Sequence, residues 1–253
     1  MACDISEPAR QTYRENYGVE PLGDVTQIDP QTIEPYDVLC AGFPCQPFSQ
    51  CGFHKGFDDE RGTMFFHIMK FVRGNRPKVV ILENVQALLN HDGGETFRRI
   101  SRELSGAGYA VAHSVLKCSD YGIPQMRKRL FIVAVLSADP LAAHIEKVLD
   151  MREFKKTITL SDYLGKNFAK STAYTLRCGG KGSPIDDRHN WDGYYVDGKE
   201  YRLTVEDALK LQGFEADFVL CGGQGDKWHQ LGNTIPTVFT DMIGRNLQKF
   251  MAA

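Results

Sequence analysis

The sequence predicts an α/β fold, an open sheet covered by helices, on three observations. Short apolar runs at residues 36–41, 78–82, 109–116 and 129–136 alternate with helix-period segments over the first 136 residues. Each run is bounded by turn signals and has the length of a buried strand. Cys45 and Glu83 fall just past the carboxyl ends of two of these strands, the edge where open α/β sheets bind ligands.

The elements follow in order. Residues 1–4 read as a short strand. A helix comes next, with Ser6 as N-cap, Pro8 in the first turn and Gly18 closing it. The strand at 36–41 leads through a Gly-rich loop to a helix over 61–72. The strand at 78–82 precedes a helix over 96–104, which Gly106 and Gly108 end. Strands at 109–116 and 129–136 complete this part. Such alternation implies a mostly parallel sheet. Residues 155–202 differ: they are rich in Gly, Lys, Asp and aromatic residues and carry no long periodic segment. Trp191, Tyr194 and Tyr195 are expected to be their packing core. Helical periodicity returns at 204–211 and 238–250. Residues 1–150 and 225–253 therefore read as one α/β domain, and 155–224 as a small lobe with its return segment.

Composition narrows the class. A hydrophobic share of 42% and a charged share of 25% are those of a globular protein, and no apolar stretch has membrane-span length. Seven cysteines without a CxxC pair argue against a disulfide framework, a zinc site or a redox dithiol, and for a reducing cytosol. The net charge of −2 excludes a global pull on nucleic acid, so any such surface is local. Cys3, Cys40 and Cys118 lie within or beside apolar runs and read as small core residues.

Three groups carry chemistry. Cys45, flanked by Pro44 and Gln46, stands outside the strand pattern; it is either a small apolar loop residue or a nucleophile, whose thiolate needs a positive field or a base. Glu83 ends an apolar strand. It is either a solvated strand end or a buried carboxyl able to donate a proton near neutral pH. Arg127 and Arg129, two apart, face one way if the chain is extended there, as a solvated basic edge or as planar forks for a carbonyl or phosphate.

Taken together, these motifs resemble the C5-cytosine DNA methyltransferases of restriction–modification systems over nearly the whole chain. The matching segments run in the family's order: Gly23-Asp24-Val25-Thr26, Gly42-Phe43-Pro44-Cys45-Gln46-Pro47-Phe48-Ser49, Asp59-Glu60-Arg61-Gly62-Thr63-Met64-Phe65-Phe66 and Glu83-Asn84-Val85. Asp120-Tyr121-Gly122-Ile123-Pro124-Gln125-Met126-Arg127-Lys128-Arg129 follows, then 202–214 and Gln230-Leu231-Gly232-Asn233-Thr234. The resemblance implies a Rossmann-like S-adenosylmethionine-dependent methyltransferase sheet with an inserted target-recognition lobe, acting on double-stranded DNA without a metal. It implies that Cys45 attacks C6 of a flipped-out cytosine, that Glu83 serves N3, and that Arg129, with Arg127 near it, contacts the base carbonyl and the acidic residues. Residues 49–61 resemble the loop that closes over the base, with Ser49 and Arg61 on the DNA. On the cofactor side it implies Asp4 for the ribose hydroxyls, Ile5 for the adenine face, Asp24 for the adenine amino group, and Pro44, Met64, Asn233 and Thr234 as further contacts. It also implies a cytoplasmic, nucleoid-associated protein of bacterial or phage type.

The chain departs from the family pattern at one place. The family opens with a strand and a loop of the type Phe-x-Gly-x-Gly-Gly, and nothing before Asp4 supplies them. The expectation is a truncated start or a two-chain enzyme whose second chain brings the motif, with weak cofactor binding by this chain alone. A catalytically incomplete DNA-binding relic is the alternative; intact Cys45, Glu83, Arg127 and Arg129 count against it. Residues 155–202 hold nine Lys or Arg and six acids, a net +3 compatible with phosphate contacts. Arg177, Lys181 and Arg188 are the candidates for DNA contact there.

Overall fold

The computed structural model describes residues 1–44 and 63–251. They fall into two compact units. The first comprises Met1–Asp24, Lys117–Arg127 and Met151–Met242; the second comprises Val25–Leu116, Lys128–Asp150 and Ile243–Ala253.

The second unit is built on a four-stranded sheet. Its strands are β1 (Val38–Gly42), β2 (Val79–Asn84), β3 (Tyr109–Lys117) and β4 (Lys128–Leu136), in the order β1-β2-β4-β3. β1 and β2 are parallel, with Gly42 opposite Glu83; β2 and β4 are antiparallel, with Glu83 opposite Phe131. The sheet is thus mixed, where the alternation of elements implied a mostly parallel one. Parallel neighbours need a crossover of a dozen or more residues, usually helical. The link at 118–127 is shorter and carries only one 3-10 turn, Cys118–Asp120. Helices α2 (Thr63–Asn75) and α3 (Glu95–Gly106) cover the sheet. α3 buries Thr96, Ile100 and Leu104, one face at four-residue spacing. Phe65, Met69, Val80, Leu82 and Ile132 pack with them into one core. Cys118 is buried as its apolar setting implied, but Cys40 is exposed on β1.

In the first unit, α1 (Glu7–Tyr17) starts and stops where its caps say. The Ser6 side chain accepts from the Ala9 N–H, Pro8 sits in the first turn, and Gly18 takes φ 66° and donates to the Arg14 carbonyl. Residues 1–4 form a parallel bridge, Cys3 with Leu22, rather than a longer strand. The remaining elements are α5 (Leu160–Leu164), the hairpin β5 (Gly193–Val196) and β6 (Lys199–Arg202), α6 (Val205–Leu211) and α7 (Gln224–Asn233). α4 (Ile145–Val148) belongs to the second unit, and α8 (Thr237–Met251) ends the described chain. Trp191 and Tyr194 are core residues of the first unit, packed with Leu164, Phe168, Leu211 and Trp228. Tyr195 is 38% exposed and is not part of that core, because successive residues of β5 point to opposite faces.

Candidate active site

Strand register places Glu83. It ends β2 beside Gly42 of β1 and Phe131 of β4. Arg129 lies two residues before Phe131 on the same face of β4, diagonal to Glu83. Its Nε donates to Glu83 Oε1 at 2.8 Å, and both side chains are only 13% exposed. Arg129 Nη1 also donates to its neighbour's carbonyl, Lys128 O, at 2.8 Å, which restrains the guanidinium. The other carboxylate oxygen, Oε2, faces the open Cα of Gly42: a Cβ built there would lie 3.5 Å from it. Charge pairing and low exposure hold the carboxyl in one orientation at the carboxyl end of the sheet.

Asn84 fixes the exit of β1. It is 3% exposed; its Nδ2 donates to Phe43 O at 3.0 Å and its Oδ1 accepts from the Val85 N–H at 2.9 Å. A buried amide satisfied on both sides ties the Phe43-Pro44 segment to the end of β2. The sequence motif contains Asn84, yet reasoning from the residues gave it no task; a polar residue closing a buried run was the available signal. Pro44 is exposed and is the last described residue before Cys45. Cys45, Ser49 and Arg61 lie outside the described residues. Met64 is half-buried against the core of the second unit.

Arg127 does not share the placement of Arg129. It is fully buried, and its guanidinium donates to Leu176 O at 3.1 Å, Gly232 O at 2.9 Å and Thr234 O at 2.8 Å. The expectation that both arginines face one way fails, because Arg127 precedes β4 and its fork is taken up by backbone carbonyls of the first unit. Gln125, also fully buried, works beside it: Nε2 donates to Leu211 O at 2.7 Å and Oε1 accepts from the Leu176 N–H at 3.1 Å. Nothing in the sequence marked Gln125 for this task apart from its motif.

Asp4, Ile5 and Asp24 lie in the first unit. Asp4 Oδ1 accepts from the Ser6 N–H at 2.8 Å, which orients the carboxylate at the start of α1. Burial, then the carboxylates of Asp4 and Asp24, push the Cys3 thiol up, against the N-terminal amine. Ile5 beside them is 78% exposed. The carboxylates of Asp4 and Asp24 are hydrogen-bond acceptors and Ile5 is an exposed apolar side chain, a set whose chemistry fits the hydroxyl and amino donors and the flat ring of adenosine. Asn233 ends α7; its Oδ1 accepts from the Cys178 thiol at 3.0 Å, and its Nδ2 lies 3.2 Å from His229 Nε2. Thr234 follows as the C-cap. Arg177, Lys181 and Arg188 are exposed, and the Lys181 ammonium lies 4.1 Å from the centre of the Trp228 ring. No helix among the described residues is long and apolar enough to cross a membrane.

The fold is one shared with solved methyltransferases. Entamoeba histolytica methyltransferase EhMeth superposes with a TM-score of 0.73 at 17% identity, over 99% of this chain and 88% of that one. The S. pombe Dnmt2 methyltransferase gives 0.69 at 18% identity, over 98% and 90%. The sequence comparisons carry the family. The model of the C-5 cytosine-specific DNA methylases matches residues 1–179. The type II methyltransferase M.NlaX of Neisseria lactamica is 35% identical over 100% of this chain and 89% of its own length. M.HhaI of Haemophilus parahaemolyticus is 30% identical over 94% and 84%. The chain belongs to the C-5 cytosine-specific DNA methylase family, and its activity is methylation of cytosine C5 in DNA.

Proposed function

We propose that Cys45, Glu83 and Arg129 carry this reaction, with Asp4, Ile5, Asp24 and Asn233 holding S-adenosylmethionine. The carrying observation is the Glu83–Arg129 pair at the end of β2, beside the strand that leads through Phe43 and Pro44 to Cys45. The target ring is stacked inside a duplex, so the base leaves the stack before chemistry. Cys45, as thiolate, forms a bond to C6, and the electron pair of the ring shifts toward N3. Glu83, in its protonated form, donates to N3 as charge builds there; Arg129 Nε holds Oε1 and so orients the carboxyl, leaving other guanidinium N–H groups to the base carbonyl. The ring carbon C5 becomes nucleophilic. S-adenosylmethionine, when bound, supplies the methyl group. As C5 takes the methyl group, N3 returns its proton to Glu83; a water molecule then removes the C5 proton, the C5–C6 double bond re-forms as the C6–sulfur bond breaks, and Cys45 leaves as thiolate. Residues 155–224 form the target-recognition lobe on this reading, with Arg177, Lys181 and Arg188 toward DNA, and the protein works at the nucleoid.

Covalent capture tests the assignment. DNA carrying 5-fluorocytosine cannot lose a C5 proton, so the adduct accumulates and is seen as a shifted band. Cys45→Ser is expected to abolish it. An adduct that survives this substitution removes Cys45 from the role.

A further inference from the structure

We infer that the ion pair between buried Asp192 and partly exposed Arg202 is a positioning device for the exposed loop 179–189, and that this loop's geometry sets the DNA sequence the enzyme selects. The inference rests on the reading of 155–224 as the target-recognition lobe. Three consecutive buried side chains reach the loop at three points. Asn190 Nδ2 donates to Ile185 O at 3.0 Å, Trp191 Nε1 donates to Gly179 O at 2.9 Å, and Asp192 Oδ1 accepts from the Gly182 N–H at 3.1 Å. Arg202 provides a fourth: Nη2 donates to Ser183 O at 2.7 Å while Nη1 donates to Asp192 Oδ1 at 3.0 Å. Gly193 lets these side chains close in, since a Cβ there would come within 2.9 Å of Asn190 Oδ1 and 3.2 Å of Arg202 Nη1.

The arrangement exceeds what packing needs. Asp192 is fully buried, and among the described residues its Oδ2 has no hydrogen-bond partner. An apolar side chain at that position would avoid the desolvation of a buried carboxylate. What the carboxylate does instead is hold one backbone N–H and one arginine fork, which together fix Gly182 at φ 92° and Ser183 next to it. The loop presents Lys181, Asp186, Asp187, Arg188 and His189, all exposed, with the His189 ring 3.0 Å from Asp187 Oδ1. Base reading needs donors held in a fixed register against the groove, because a bidentate contact discriminates only when its two bonds form together. A rigid seat under an exposed loop that carries both donors and acceptors meets that need; a loop that only touched phosphates would tolerate slack.

The test uses the full chain and a randomised duplex library, with methylated positions read by sequencing after chemical deamination. Two variants are compared with the parent: Arg202→Met, which removes the Ser183 anchor and the cation paired with Asp192, and Gly182→Ala. At Gly182 an added Cβ meets nothing within 4 Å, so that change alters only the backbone preference of the exposed loop. Both are expected to lower the ratio of preferred-site to one-mismatch methylation about tenfold or more. Both should also raise KM for DNA more than they change kcat, and retain covalent capture on 5-fluorocytosine DNA. Arg202→Lys, which keeps the charge but loses the fork, should recover part of the ratio. Folded Gly182→Ala with an unchanged ratio overturns the inference, whatever Arg202→Met does to stability. A parent enzyme that methylates cytosines without sequence preference overturns instead the reading of the lobe on which the inference rests.

Discussion

Arg127 and Arg129 are two residues apart and chemically identical, yet their tasks separate. Arg129 pairs with Glu83 at 2.8 Å, whereas Arg127 gives its hydrogen bonds to Leu176, Gly232 and Thr234 carbonyls. Removing Arg127 leaves three acceptors in a buried setting, so Arg127→Met should destabilise the fold by about 3 kcal/mol or more. Urea unfolding would show it as a lowered midpoint; an unchanged midpoint would mean that water replaces the fork. Glu83→Gln tests the other side of the contrast. Glutamine keeps the size and can still accept from Arg129, but it cannot deliver a proton to N3. Turnover should fall about 10²–10⁴-fold while DNA binding persists. Single-turnover methylation beside a gel-shift titration would decide it, and near-normal turnover would assign Glu83 to structure alone.

At the scale of elements, α6 and the β5–β6 hairpin are fastened by one carboxylate. Asp207 accepts from Lys166 Nζ at 2.6 Å, from the Tyr201 hydroxyl, and from the Thr204 N–H at 3.1 Å, where it also completes the capping box of α6. Burial by itself pushes the Asp207 carboxyl up, but the hydrogen bonds from Lys166, Tyr201 and Thr204 outweigh it and hold the group below its ordinary range. A carboxyl depressed in the folded state stabilises the fold above its unfolded pKa, about 3.9, and loses that contribution as pH falls through the lower folded value. Asp207→Ala should therefore cost about 2 kcal/mol near neutrality, discounted for the partly exposed Lys166. Thermal melts from pH 6 to pH 3 should show the gap between parent and variant narrowing on acidification. A gap that stays constant to pH 3 would refute the assignment.

For the whole molecule, the net charge of −2 means that DNA affinity cannot come from a general field. It must come from a few local phosphate contacts, and those are counted by salt dependence. Each neutralised phosphate contributes a slope of about −0.9 in the logarithm of the binding constant against the logarithm of salt concentration. Arg177, exposed and outside the 179–189 loop, is the cation proposed for this, and replacing it by Ala should reduce the slope by about 1. Fluorescence anisotropy on a duplex between 50 and 200 mM salt would measure it, and an unaltered slope would take Arg177 off the phosphate backbone.

Much of the molecule was legible from residues alone, because the signals were local. Ser6, Pro8 and Gly18 bound α1, since capping depends on groups within a turn of each other. Apolar runs located β1 to β4, and the end of β2 put Glu83 at the ligand-binding edge. The motifs around Cys45 sufficed for the family, since motif order is itself a sequence property. Other features were settled by chain segments that are distant in sequence. Arg127 finds partners 49, 105 and 107 residues away, and no spacing rule distinguishes it from Arg129. The antiparallel pairing of β2 with β4 reverses the expected sheet, because strand direction depends on which neighbour a strand finds and not on its own pattern. The seat of the 179–189 loop has the same origin. Asp192 and Arg202 read in sequence as one acid and one base among many, and only the hairpin that sets them side by side makes them a pair.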